Sequence, residues 1–140
     1  MVLKDKRQTE KNRSLIQSIA HAMYGVKDIF LRERNFRYHC LIAVLVVGCG
    51  LAIHLSLMEW IAIVVCIGAM FVAEAFNSAI ERLVDFACNG KYQFLVKQAK
   101  DAASAAVLLT AVFTVLIGLL VFAHHFFLKL RKRNRDYGRK

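Results

Sequence analysis

Proline is absent from this chain of 140 residues, and its seven glycines are scattered. Without proline, no strong helix breaker interrupts the long apolar stretches. Scattered glycines form neither a Walker A loop nor a kinase-type glycine-rich loop, so any nucleotide site must be of another design. The four cysteines, Cys40, Cys49, Cys66 and Cys88, show no CxxC and no paired spacing with histidine. That sets aside a disulfide framework and a zinc site. Three of them lie in apolar runs, where free cysteine acts as a small hydrophobe. The first fifteen residues are polar, and no cleavable signal peptide is expected.

What is abundant is apolar. Hydrophobic residues make up 58% of the chain and the mean hydropathy is +0.45, whereas a soluble domain sits nearer about 45–50% apolar. The excess collects in three blocks, which points to a small integral membrane protein. The formal net charge is +10, but the basic residues cluster at the two ends: Lys4, Lys6, Arg7, Lys11 and Arg13, then 129–140. Basic flanks on apolar spans answer to anionic head groups and topology signals. No basic face with interleaved aromatics is present, so no nucleic-acid partner is expected.

The chain divides accordingly. After a basic segment, 1–13, the residues Leu15, Ile16, Ile19, Met23, Val26 and Ile29 recur at helical spacing. They predict an amphipathic helix, too polar to span, lying along the membrane surface or on the end of the bundle. A polar hinge is expected over 30–39, followed by spans at about 40–57, 60–85 and 102–128. A short turn at 54–59 separates the first two. A polar link, 87–100, holds the turn dipeptide Asn89-Gly90, and a basic tail occupies 129–140. The expected fold is an all-α integral membrane protein: a surface helix plus three transmembrane helices, with one domain over 14–128. Arg32, Arg34 and Arg37, with Arg82, Lys91, Lys97 and Lys100, place the N-terminus and the 87–100 link in the cytoplasm. The basic tail then falls on the opposite side, against that rule.

The stretch AEAFNSAIERLVDF, 73–86, is unusual for the end of a span. At about 100° per residue, Glu74, Asn77, Ser78, Glu81 and Asp85 fall within roughly one third of the helix circumference. Lys100, Asp101 and Ser104 begin the third span at the same depth, and Glu33 precedes the first. Carboxylates bind Mg²⁺ well when phosphates complete its shell, and lysine offers a point charge to a phosphate. A carboxylate set deeper, away from water, suits a general base. The inventory fits phosphoryl transfer from a nucleotide to a membrane-embedded hydroxyl, without separating base from metal ligand. Plainer readings stand beside it. Glu81 and Asp85 at a boundary are served by solvent or by Arg82 and Lys100, Asn77 by a helix–helix contact, and the alanines around Ser104 by close packing. A small proton-coupled transporter would need Glu74 but not Glu33, Lys100 or Asp101.

The pattern ExxNSAIExxxD (Glu74, Asn77, Ser78, Ala79, Ile80, Glu81, Asp85) resembles the signature of the prokaryotic diacylglycerol kinase/undecaprenol kinase family. AKDxxSAAV (Ala99, Lys100, Asp101, Ser104, Ala105, Ala106, Val107) resembles its second block, and ERNFR at 33–37, with Ala22 and Gly25 upstream, its third. The likeness covers about 14–125 in the family's order. It implies a homotrimer with composite active sites at subunit boundaries, on the cytoplasmic side of a bacterial membrane, using Mg-ATP. By position, Glu74 would be the base toward the lipid hydroxyl, and Glu33 and Glu81 would hold the metal with the phosphates. Asn77, Lys100 and Asp101 would contact the nucleotide, with Asp85 in support and His21 standing where a nucleotide-contacting tyrosine falls. Asn35, Phe36 and Ser104 would border the lipid. ERNFRYH looks like the Gram-positive branch, whose members prefer undecaprenol; diacylglycerol is the alternative acceptor. Activity is expected to fall at acid pH.

Overall fold

Away from water a backbone must satisfy its own hydrogen bonds, and an apolar run does so as a helix. The computed structural model describes residues 15–89, 91 and 93–137, and these are arranged as four helices with no strand. They are α1 (Leu15–Arg32), α2 (Arg34–Ile53), α3 (Leu57–Cys88) and α4 (Phe94–Tyr137). The basic segment 1–13, Ser14, Gly90 of the turn dipeptide and 138–140 of the tail lie outside the described residues. α2, α3 and α4 are each long and apolar enough to cross a membrane. α1 is amphipathic and buries no residue.

The breaks between helices are shorter than their polarity suggests. The expected hinge at 30–39 contracts to Glu33, extended at φ −93° and ψ 115° between α1 and α2. Arg37 makes this possible. Its Nη1 donates to the carbonyls of Phe30 (3.3 Å) and Leu31 (2.9 Å), two acceptors that the end of α1 leaves without a helical partner. At the other end of α2, His54 turns left-handed at φ 59°, and its N–H returns to the carbonyls of Gly50 and Leu51. Gly50 is needed there: a Cβ would stand 2.9 Å from Leu55 Cδ1 and 3.0 Å from Trp60. Ser56 then starts α3 with a capping box closed by Glu59. Asn89, also left-handed at φ 49°, ends α3.

α4 runs on where a separate tail was expected from 129. Its 44 residues extend about 66 Å at 1.5 Å per residue, roughly twice the hydrocarbon thickness of a bilayer. The basic tail therefore continues, as far as Tyr137, the same helix as the third span.

α3 is the shared element. α4 packs along it, while α2 and α1 meet it near Glu33 and Glu74. Among the described residues the buried apolar ones are few: Phe36, Leu55, Ile63, Cys66, Met70, Cys88 and Ala103. Most leucines and valines of the three long helices point outward. Lipid tails are as apolar as leucine, so such helices gain little from burying it against one another.

Candidate active site at one end of α3

Glu74 lies on the face of α3 that the other helices cover, and only 3% of it is exposed. Among the described residues nothing donates a well-aligned hydrogen bond to it. The imidazole of His39 on α2 has its Nε2 3.2 Å from Oε1 without hydrogen-bond alignment, so that oxygen is left unsatisfied. One helical turn from each residue, Phe36 meets Phe71 with ring centroids 5.2 Å apart. This aromatic contact holds α2 and α3 together beside the carboxylate. An apolar cavity of about 420 Å³ opens from His39 and Phe71 between α2, α3 and α4, past Met70 and Gly118 to Phe122.

Outward from Glu74 the polar side chains pair with one another. Asn77 Nδ2 donates to Glu81 Oε1 at 3.1 Å, while Asn77 Oδ1 is buried with no partner among the described residues. Lys100 Nζ reaches across from α4 to Asp85 Oδ1 at 2.6 Å, closing the link between α3 and α4. Arg82 gathers the other two elements: Nη2 donates to Glu33 Oε1 at 2.9 Å and Nη1 to Asp28 of α1. Asp28 also accepts from Arg32 Nε at 2.6 Å. These bonds, Arg32 first and Arg82 second, hold the Asp28 carboxyl below its ordinary range.

The fold thus brings Glu33, Glu74, Asn77, Glu81, Asp85 and Lys100 to one end of the bundle, with Phe36 buried beside them. Within one chain it leaves four expected site residues outside this cluster. Asp101 is exposed and paired with Lys97 on its own helix. Ser104 is exposed, because its neighbour Ala103 takes the covered position on α4. Asn35 and His21 are exposed as well. Sequence reasoning gave no role to Asp28 or His39. The i, i+4 spacing of Asp28 and Arg32 was visible on the helical wheel; the approach of either Asp28 or His39 to α3 was not.

Among the described residues, no three carboxylate, imidazole or thiol groups converge to hold a metal ion. The cluster's candidate ligands Glu33, Glu81 and the amide oxygen of Asn77 are all oxygen donors. That is the ligand chemistry of Mg²⁺, which is commonly held by one or two carboxylates with phosphates and water supplying the rest. The residues fit such an ion.

Residues 20–122 match the family described as prokaryotic diacylglycerol kinase. The chain is 44% identical over 119 residues to an undecaprenol kinase of Bacillus subtilis, covering 85% of this chain and 94% of that one. It is 33% identical over 105 residues to a diacylglycerol kinase of Synechocystis, covering 75% of this chain and 60% of that one. A diacylglycerol kinase of Helicobacter pylori is 30% identical over 105 residues, with 75% of this chain and 81% of that one covered.

Proposed function

The chain belongs to the prokaryotic diacylglycerol kinase family, and we propose that this lipid kinase transfers the γ-phosphate of ATP to undecaprenol. The product is undecaprenyl phosphate, made at the cytoplasmic face of a bacterial membrane. The observation that carries the chemistry is Glu74: a buried carboxylate, short of donors, beside an apolar cavity and at the edge of a polar cluster. A carboxylate left without donors in a dry site is costly and is a functional candidate by default within a membrane.

Glu74 takes the proton of the acceptor hydroxyl as the alcohol oxygen bonds to the γ-phosphorus. The bond from that phosphorus to its bridging oxygen breaks, and ADP leaves. Lys100 offers positive charge to the phosphates, at the cost of its pairing with Asp85. Asn77 orients Glu81 through its amide nitrogen and presents its free oxygen to the nucleotide side. Arg82 fixes Glu33 and docks α1 on the site. Mg²⁺, held by Glu33 and Glu81, would neutralise charge on the phosphates. The exposed positions of His21, Asn35, Asp101 and Ser104 fit a homotrimer in which a neighbouring copy completes each site.

The choice of undecaprenol rests on the similarity to the undecaprenol kinase. Diacylglycerol is the second reading, favoured by the names of the other two relatives. The deciding experiment offers each alcohol separately, in mixed micelles with labelled ATP and Mg²⁺. Faster labelling of undecaprenol supports the proposal, and faster labelling of diacylglycerol replaces it with the second reading.

A further inference from the structure

Among the described residues Glu74 meets a single polar partner, and that partner comes from a different helix. His39 sits on α2 and lines the apolar cavity, with Nε2 3.2 Å from Oε1 and its own side chain 23% exposed. The Phe36–Phe71 contact one turn away limits how α2 rotates against α3. An ionised carboxylate only accepts hydrogen bonds, so the nitrogen facing it must carry the proton. A carboxylate with no donor rotates about its last torsion, which is broad and roughly two-fold. A donor on one oxygen leaves the other to face the substrate. Contacts of this kind are often long and poorly aligned before substrate arrives.

We infer that His39 is a positioning residue for the base: its Nε2–H holds Oε1 of Glu74 and leaves Oε2 to face the acceptor hydroxyl. The inference rests on the lipid-kinase reading for its catalytic consequence, though not for the contact itself. His39 touches no phosphate and forms no bond in the reaction. Its effect is on the rate of the chemical step, where misplacing a reacting group by about 1 Å costs on the order of 100-fold.

Two substitutions separate positioning from packing. His39→Phe keeps a ring of similar shape and loses the donor; His39→Gln keeps a donor on a flexible chain. With ATP as the varied substrate, His39→Phe is expected to lower kcat about 100-fold with KM for ATP unchanged. His39→Gln is expected to restore most of that loss. Isotope-edited infrared spectra, with Glu74→Gln identifying the Glu74 band, add a readout that needs no turnover. The band should move in His39→Phe and return toward its wild-type place in His39→Gln. A Phe variant as fast as wild type, or a Gln variant as slow as the Phe variant, overturns the inference. So does a Glu74 band indifferent to His39. If wild type labels no lipid yet the band responds to His39, the kinase reading fails and the His39–Glu74 contact stands.

Discussion

α3 carries two buried glutamates, fifteen positions and therefore about 22 Å apart, and each faces a histidine at 3.2 Å. Glu59 meets His125 of α4, and Glu74 meets His39 of α2. The surroundings differ. Glu59 Oε2 accepts from Ser56 N at 2.7 Å and Ser56 Oγ at 2.8 Å, and His125 Nδ1 lies within hydrogen-bond range of the same oxygen. It closes a capping box and so satisfies donors at the start of its own helix. Glu74 lies mid-helix, where the backbone donors are already used, and among the described residues it receives no aligned hydrogen bond. The same residue type, buried in both places, has a local structural task at the start of α3 and none in its middle. On the proposed function, Glu74 is the one that serves as the base.

The comparison breaks most visibly at Glu74. Glu74→Gln keeps the size and polarity of the side chain and removes the base, so phosphate transfer should fall about 1000-fold with helix content and thermal unfolding unchanged. Glu59→Gln should keep turnover within about threefold, because glutamine also serves in a capping box. Comparable losses in the two variants would remove the distinction.

The next effects are on stability and belong to the Glu59 end. Gly50→Val forces a Cβ and two methyls against Leu55 and Trp60, and overpacking of this kind costs about 1–3 kcal/mol. Ser56→Ala deletes the cap and should cost about 1 kcal/mol, read as a lower unfolding midpoint in detergent with turnover per folded molecule preserved.

The smallest effects concern how α1 is held at the Glu74 end. Arg82 bridges α3 to Asp28 and Glu33 but is 43% exposed, so solvent screens much of each pair. Arg82→Ala should speed amide exchange in α1 by up to about fivefold and leave α4 untouched. The pH response has a defined sign. Asp28 is held below its ordinary range by Arg32 and Arg82, so its contribution is fully present above the pKa of an unfolded aspartate, about 4. It is lost as pH falls through the lowered folded value. Exchange in α1, corrected for its intrinsic pH dependence, should therefore be level between pH 8 and 5 and rise only in stronger acid. A rise near neutral pH would show that another group docks α1.

Much of this was legible in the sequence. Hydropathy alone separates α2, α3 and α4, and helical periodicity alone puts Glu74, Asn77, Glu81 and Asp85 on one wall of α3. The helix ends were less legible. The polar stretch 30–39 reads as a hinge, yet Arg37 satisfies the end of α1 and one extended residue, Glu33, suffices. The charges beyond 128 read as a tail, yet lysine and arginine are good helix formers and α4 continues through them. The Ser56-x-x-Glu59 capping box is a visible pattern, masked by its apolar neighbours. Contacts between helices were the least legible. His39 against Glu74, and Arg82 against Asp28, depend on how one helix is rotated toward another, and a single sequence carries no record of that angle. Asp101 shows the converse: its motif placed it with the site, while a lysine one turn earlier on its own helix claims its side chain.

The two buried glutamates of α3 differ in their surroundings. The most direct test measures labelled phosphate transfer to undecaprenol by wild type, Glu74→Gln and Glu59→Gln, alongside thermal unfolding of the same preparations. The account predicts a folded and almost inactive Glu74 variant, and an active Glu59 variant. A Glu74 variant that still phosphorylates the lipid at close to the wild-type rate would contradict it.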